Sequence, residues 1–358
     1  MNPPGPELGA LESGRRPRRR RLPPEEWESW DDDRLMQLRL CDLDLRIAGS
    51  PVEPRVQELY AEMEARGLAF RPDVWLSDEF FTPEGVAGIA IPFYLAHPRL
   101  ARLEQSQMLE VEGGDPDWCL RILRHEAGHA IEHAYRLHRR GRRRRLFGSS
   151  AVPYPDSYQP RPYSRRYVIH LDAWYAQSHP DEDFAETFAA WLTPGSDWRE
   201  RYKGWPALRK LEYVDALMRE LAGRPPLVSG QKPIEPLARL RKTLRTHYRR
   251  KRERYGMGGE IYYDRDLRRL FPPSEDGSGR PAATFLARLR KDVRRQVRRW
   301  TGAYLYSIDQ VLGDMIERCR ALGLRLTVPE DQARQEFTIL LTVETLRALS
   351  DGRLRRAL

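Results

Sequence analysis

Apolar residues recur at helical intervals in some stretches of this chain and alternate in others, and each change of spacing marks an element. In "EPRVQELYAEMEARGL", Val56, Leu59, Tyr60 and Met63 share one face of a 3.6-residue period, which predicts a helix. Upstream, from Trp27 to about Ser50, Leu35, Leu38 and Leu40 keep a helical spacing that gives way to alternation at Leu43, Leu45 and Ile47. "DVWLSDEFF" and "GIAIPFYL" read as short strands, the second closed by Pro98. "SQMLEVEGG" reads as a third strand, ended by two glycines.

The next helix has a well-defined start in "GGDPDWCLRILRHEAGH". Asp115 can cap the N-terminus and Pro116 takes the first helical position, where its missing N–H costs nothing. Trp118, Ile122, Ala130, Ile131 and Ala134 supply its apolar faces to about Leu137, and "RRGRRRR" (139–145) reads as a solvated exit. Residues 147–166, rich in Pro, Tyr and Ser, predict a long loop that could act as a lid or a self-inhibitory segment. "RYVIHLDAW" predicts an extended segment. "HPDEDFAETFAAWLTPG" predicts a helix stopped by Pro194 and Gly195.

Beyond about residue 226 the texture becomes Arg-rich and helical. From Phe285 through Leu289, Val293, Val297, Trp300, Tyr304, Ile308 and Val311 to Met315, apolar residues step by three or four, which predicts one long helix over 282–322. A last helix is predicted near 330–349.

Charge sharpens this division. The net +10 is distributed as +4 over residues 1–22, −7 over 23–230 and +13 over 231–358. Only six of the 62 basic residues are Lys, a bias that weakens any reading of the clusters at 139–145, 249–254 and 290–299 as phosphate-binding sites. No zinc-finger, helix-turn-helix or RNA-recognition signature accompanies them, so nucleic acid is a possible partner but not the favoured one. Three scattered cysteines, Cys41, Cys119 and Cys319, argue against a disulfide framework. With no apolar run long enough to span a bilayer and no apolar stretch after the N-terminal arginines, the expectation is a cytoplasmic protein with no membrane partner.

The candidate chemistry lies in "LRHEAGHAIEHAY", residues 123–135. On a helix, His125 and His129 project from one face a turn apart, so both imidazoles can reach one cation. Glu126 sits beside that cation, placed to deprotonate a water in an HExxH arrangement. His133, one turn further on, reads as a neighbour. A catalytic zinc takes a third protein ligand, and the helix "HPDEDFAETFAAW" offers Glu182 and Glu186 on one face. Two carboxylates among Phe184, Ala185, Phe188 and Trp191 would be costly to bury unpaired, so one could meet zinc and the other a ligand histidine's free N–H. His179 reads as part of that helix's N-terminal cap.

"HEAGH" followed some fifty residues later by "EDFAETFA" resembles the glutamate-ligand zincins, most closely bacterial zinc-binding metallopeptidases, and more distantly the anthrax lethal factor protease domain. The likeness covers residues 119–192 in its motifs. It implies one Zn2+ held by His125, His129 and Glu182, with Glu186 in support. It also implies Tyr175, seven residues before Glu182, as a donor to the transition-state oxyanion. The resulting expectation is an α+β protein: a disordered tail (1–25), a zincin-like metallopeptidase domain with a small sheet packed on the HExxH helix (26–225), and a basic, mainly helical C-terminal domain (226–358). Its activity would be hydrolysis of a peptide or protein substrate, with Glu126 as general base and substrate added as a strand along "GIAIPFYL" or "SQMLEVE". The alternatives are a zinc-containing regulatory or nucleic-acid-associated protein with weak or conditional proteolysis, and a metal-free structural protein.

Overall fold

A computed structural model of the chain describes residues 21–155, 158, 160–161, 163–255, 263–272 and 279–350. Most of the predicted disordered tail, and residues 156, 157, 159 and 162 of the predicted loop, lie outside these. The described part is mainly helical, with one small parallel sheet. Helix α1 (Glu53–Ala65) buries Val56, Leu59 and Met63. Strand β1 (Asp73–Ser77) pairs in parallel with β2 (Gly88–Pro92), Val74 opposite Ile89 and Leu76 opposite Ile91. On the other side of β2, the N–H of Ala90 donates to Phe81 O at 2.9 Å in an antiparallel bridge. All five residues of β2 are buried, as their unbroken apolar run requires.

The third predicted strand does not form: Ser106–Met108 are the last residues of helix α2 (Pro98–Met108), which buries Leu100, Leu103 and Met108, and Leu109, at φ 70°, ends that helix with no strand after it. Pro98 does not close a strand but opens this helix, its missing N–H falling at the first position, and His97 Nδ1 accepts the N–H of Arg99. Helix α3 (Pro116–Ala134) packs on β2, and "RRGRRRR" folds into a further short helix, α4 (Gly141–Phe147). Helix α5 (Pro180–Leu192) lies against α3, and α6 (Leu208–Leu221) covers α5. "RYVIHLDAW" forms no strand; it leads into a 3-10 turn over Asp172–Gln177.

Helix α7 (Leu244–Tyr255) joins the same core through Leu244, Tyr248 and Tyr255, although its composition resembles the basic C-terminal part. A second core is formed by α8 (Asp264–Leu270), α9 (Ala282–Thr301), α10 (Leu305–Ala321) and α11 (Glu330–Ser350). The expected single helix over 282–322 is therefore two. Gly302, at φ 65°, ends α9 in the left-handed conformation that a chain reversal needs, and Trp300 leaves the seam at 72% exposure. Among the described residues no helix is long and apolar enough to cross a membrane.

Candidate metal centre

Helix α3 is fixed at both ends and along its length. The Asp115 carboxylate accepts the N–H groups of Asp117 and Trp118, as an N-cap should. Ile122, Leu123, Ala127, Ala130 and Ile131 are buried, and Arg124 forms a buried two-point ion pair with Glu62 of α1, at 2.7 Å and 2.5 Å. Helix α5 begins at His179, which does serve as its cap: Nδ1 accepts the N–H of Asp181, while the Nε2 side meets Val152 O at 2.7 Å. The two helices touch at Gly128. A Cβ there would lie 2.7 Å from Ala185 Cα and 3.0 Å from Ala185 O, closer than real contacts allow. Glycine therefore sets the spacing that lets side chains from both helices meet.

Those side chains converge on one point. His125 Nε2 lies 2.9 Å and His129 Nε2 3.1 Å from Glu182 Oε2, and the two nitrogens are 3.1 Å apart. A tetrahedral zinc with bonds of about 2.0–2.1 Å places neighbouring ligand atoms roughly 3.3 Å apart, so the three atoms fit one ion after shifts of a few tenths of an ångström. Among the described residues this trio is the group of His, Cys, Asp and Glu side chains that could hold a metal ion. Behind it, the other nitrogen of His125, Nδ1, donates to Glu186 Oε1 at 2.9 Å, and the N–H of Leu171 donates to Glu186 Oε2 at 2.8 Å. This fixes the His125 tautomer and turns Nε2 toward Glu182. Glu126 Oε2 is buried with no hydrogen-bond partner, although the Glu126 carbonyl accepts from Thr82.

The electrostatics follow from this enclosure. Burial alone would push the His125 imidazole down, but hydrogen bonds to Glu182 and Glu186 outweigh it and hold it well above its ordinary value. Burial would likewise raise Glu182, yet the charges and hydrogen bonds of His129 and His125 hold it well below the usual carboxylate range. Tyr175 borders the cavity with its ring 5.5 Å from that of His125 and its hydroxyl raised by burial and by Glu182. His133 sits further along the same cavity, pushed down to about 4 by burial and by His129. His170 turns away, with Nε2 meeting Arg121 O at 2.9 Å.

Two functional neighbours escaped sequence reading. Tyr154, in the Pro- and Tyr-rich loop, donates to Glu182 Oε1 at 2.9 Å and stacks on His179 at 3.7 Å. Arg143, from the cluster expected to be a solvated exit, is fully buried. It pairs with Glu132 of α3 at 2.7 Å and with Asp181 of α5 at 2.6 Å, and also donates to the carbonyls of Gly148 and Pro180. Glu132, an acidic residue near the end of α3 and eleven residues before Arg143, is the one sequence signal that could have hinted at it. The other basic clusters are also largely consumed internally. Lys251 is buried on Glu104, Arg254 pairs with Glu79, Arg290 and Arg294 with Asp309, and Arg298 with Glu110.

A cavity of about 770 Å³ opens over the trio, bounded by Phe80, Phe81 and Thr82 on one side and Ser150, Val152 and Tyr154 on another. The family model described as "Putative zinc-binding metallo-peptidase" matches residues 119–196, a minority of the chain that holds α3, α4 and α5. No curated protein and no solved structure matches the chain, so the likeness to the lethal factor protease domain gains no support there.

Proposed function

We propose that the chain is a zinc-dependent peptidase that uses His125, His129 and Glu182 as metal ligands. The observation that carries this reading is the convergence of Nε2, Nε2 and Oε2 within hydrogen-bonding distance of one another beneath an open cavity. A zinc ion bound there would supply a Lewis acid for a scissile carbonyl and lower the pKa of a water. Glu126, with Oε2 free of protein partners, is the group that would accept a water's proton and pass it to the leaving amine. Glu186 orients His125, and Tyr175 donates to the oxyanion that develops on the carbonyl. The role of Tyr175 rests on the likeness to lethal factor together with its place beside His125.

Substrate does not add to β2, whose neighbours are β1 and Phe81, nor to "SQMLEVE", which ends α2 and forms no strand. The backbone from Phe81 to Gly85, which borders the cavity, is the better track for an extended peptide. A zincin-like fold and a separate C-terminal unit belong to the same proposal. The reading of a regulatory protein with conditional proteolysis has one observation behind it: Tyr154 occupies the second oxygen of Glu182 from a loop that borders the cavity.

The test is zinc content and peptide hydrolysis in parallel. Wild type should hold about one zinc per chain, the stoichiometry of a catalytic site. His125→Ala and Glu182→Ala should lose it, and Glu126→Gln should keep zinc while losing hydrolysis. A wild-type protein free of zinc after supplementation would overturn the proposal.

A further inference from the structure

The far end of the cavity is walled by the end of α3 and the turn that follows. There Arg136 and Arg139 line the same cavity as the metal trio, together with His133, His138, Val228 and Gln231. Both arginines are exposed, and among the described residues neither has a carboxylate partner. The acidic groups of this region are largely accounted for. Glu132 and Asp181 are both held by Arg143, which leaves Glu84 as the free carboxylate on the rim. The rim therefore carries two uncommitted positive charges against one negative.

The backbone supplies a second observation. Arg136 is the residue just past the end of α3, at φ 53° and ψ 42°, and its N–H bonds back to His133 O at 3.1 Å. Helices that end this way place glycine at this position, because a Cβ is disfavoured in the left-handed region. Here an arginine holds it and turns its side chain to the cavity. A left-handed backbone held at a residue that lines the cavity supports a role for its side chain there.

We propose that Arg136 and Arg139 form a subsite for an acidic side chain of a peptide laid across the metal centre. From His129 to Ala134, the last residue of α3, the helix rises about 7.5 Å, and Arg136 and Arg139 lie beyond that end. An extended peptide advances about 3.3 Å per residue, so the acidic residue lies about three positions from the scissile bond. This deepens the proposed function and rests on it for the register, though not for the binding itself.

Two measurements separate the inference from peptidase activity. The first is anisotropy of a fluorescent Glu-rich peptide and its Gln and Lys counterparts on zinc-supplemented Glu126→Gln protein, with and without Arg136→Ala and Arg139→Ala. The Glu peptide should bind at least tenfold more tightly than the Gln peptide, and the double substitution should erase that gap. The second is hydrolysis of a peptide library by wild type, which should show an acidic preference about three residues from the cut. Arg136→Gly is the control for structure: it should raise Tm by relieving the left-handed strain while weakening the acidic preference. Acid-selective binding that depends on both arginines upholds the subsite even if no peptide is cleaved. Equal affinity for Glu and Gln peptides, or a preference that survives the double substitution, overturns it even if the enzyme is active.

Discussion

Ala185 Cα lies 2.7 Å from the point where a side chain on Gly128 would begin, so the helices that carry His125, His129 and Glu182 meet backbone to backbone. The contact decides how far Glu182, three residues before Ala185, reaches toward His125 and His129. It also sets two effects against each other in Gly128→Ala. Alanine is the better helix former by about 1 kcal/mol. Overpacking against backbone that cannot yield costs about 1–3 kcal/mol. The second should win. Urea denaturation should show a net loss of up to about 2 kcal/mol, and zinc titration a drop in affinity of about tenfold or more. A stabilised variant with wild-type zinc affinity would show that the helices are not held by this contact.

Arg143 joins α4 to both metal helices while wholly excluded from solvent. Even with that partner, burial raises Glu132 to about 7. Arg143→Met would leave the Glu132 and Asp181 carboxylates facing each other without a cation, a loss of about 3–5 kcal/mol by the behaviour of broken buried pairs. Combining it with Glu132→Gln should recover part of that loss, since the remaining amide needs no counter-charge. Chemical denaturation of the two variants checks this: no recovery in the double variant would place the damage in packing around Phe147 and Phe184 instead.

The two metal helices were legible in the sequence because local signals define them. Asp115 and Pro116 mark one start, His179 and Pro180 the other, and the His125–His129 spacing is a property of one helix. From the residues alone the meeting of Glu182 with those histidines was inferable only as a resolution of buried charge, which left Glu182 and Glu186 interchangeable; the family resemblance put Glu182 first, and Glu182 is the carboxylate that faces both Nε2 atoms. Arg143 and Tyr154 were illegible for the opposite reason. Each acts through partners that are remote in sequence, Asp181 and Glu182, and nothing local to a run of arginines or a Pro–Tyr loop says which member turns inward. Gly302 was missed because apolar spacing continues across it, and only its left-handed backbone breaks the helix.

Tyr154 holds Glu182 Oε1 while Glu182 Oε2 faces the histidines, so the phenol acts as a positioning group for the carboxylate. Tyr154→Phe keeps the stacking surface on His179 and removes only the hydroxyl. Zinc affinity should fall about tenfold, the scale of loss for groups that orient a metal ligand. Any hydrolysis should return to near wild-type rate at saturating zinc. A rate above wild type would instead identify the loop as a brake on the cavity.

A polar cluster away from the metal centre contributes to the dependence of stability on pH. Glu112 is buried and its carboxyl is raised from its ordinary 4.5 to about 8, first by burial and then by Glu79, Glu104 and Glu110 against the pull of Lys251. The folded chain thus binds a proton that the unfolded chain releases. The contribution is complete below pH 4.5 and is lost as pH rises through 8, at up to about 1.4 kcal/mol per pH unit for a single group. Glu104 and Glu110, both raised by burial, act with the same sign. His247 acts in reverse: burial, then Lys251 and Lys242, push it down from 6.5 against Asp78, so its contribution is complete above pH 6.5 and is lost as pH falls. For these groups His247 offsets only one of the three carboxyls between about pH 4.5 and 6.5, so the decline toward alkaline pH is shallower there and steepens above 6.5. Tm measured against pH should show that change of slope. Glu112→Gln should flatten the limb between pH 6.5 and 8, and His247→Gln the acid limb. An alkaline limb of unchanged slope in Glu112→Gln would mean that Glu112 is ionised within the fold.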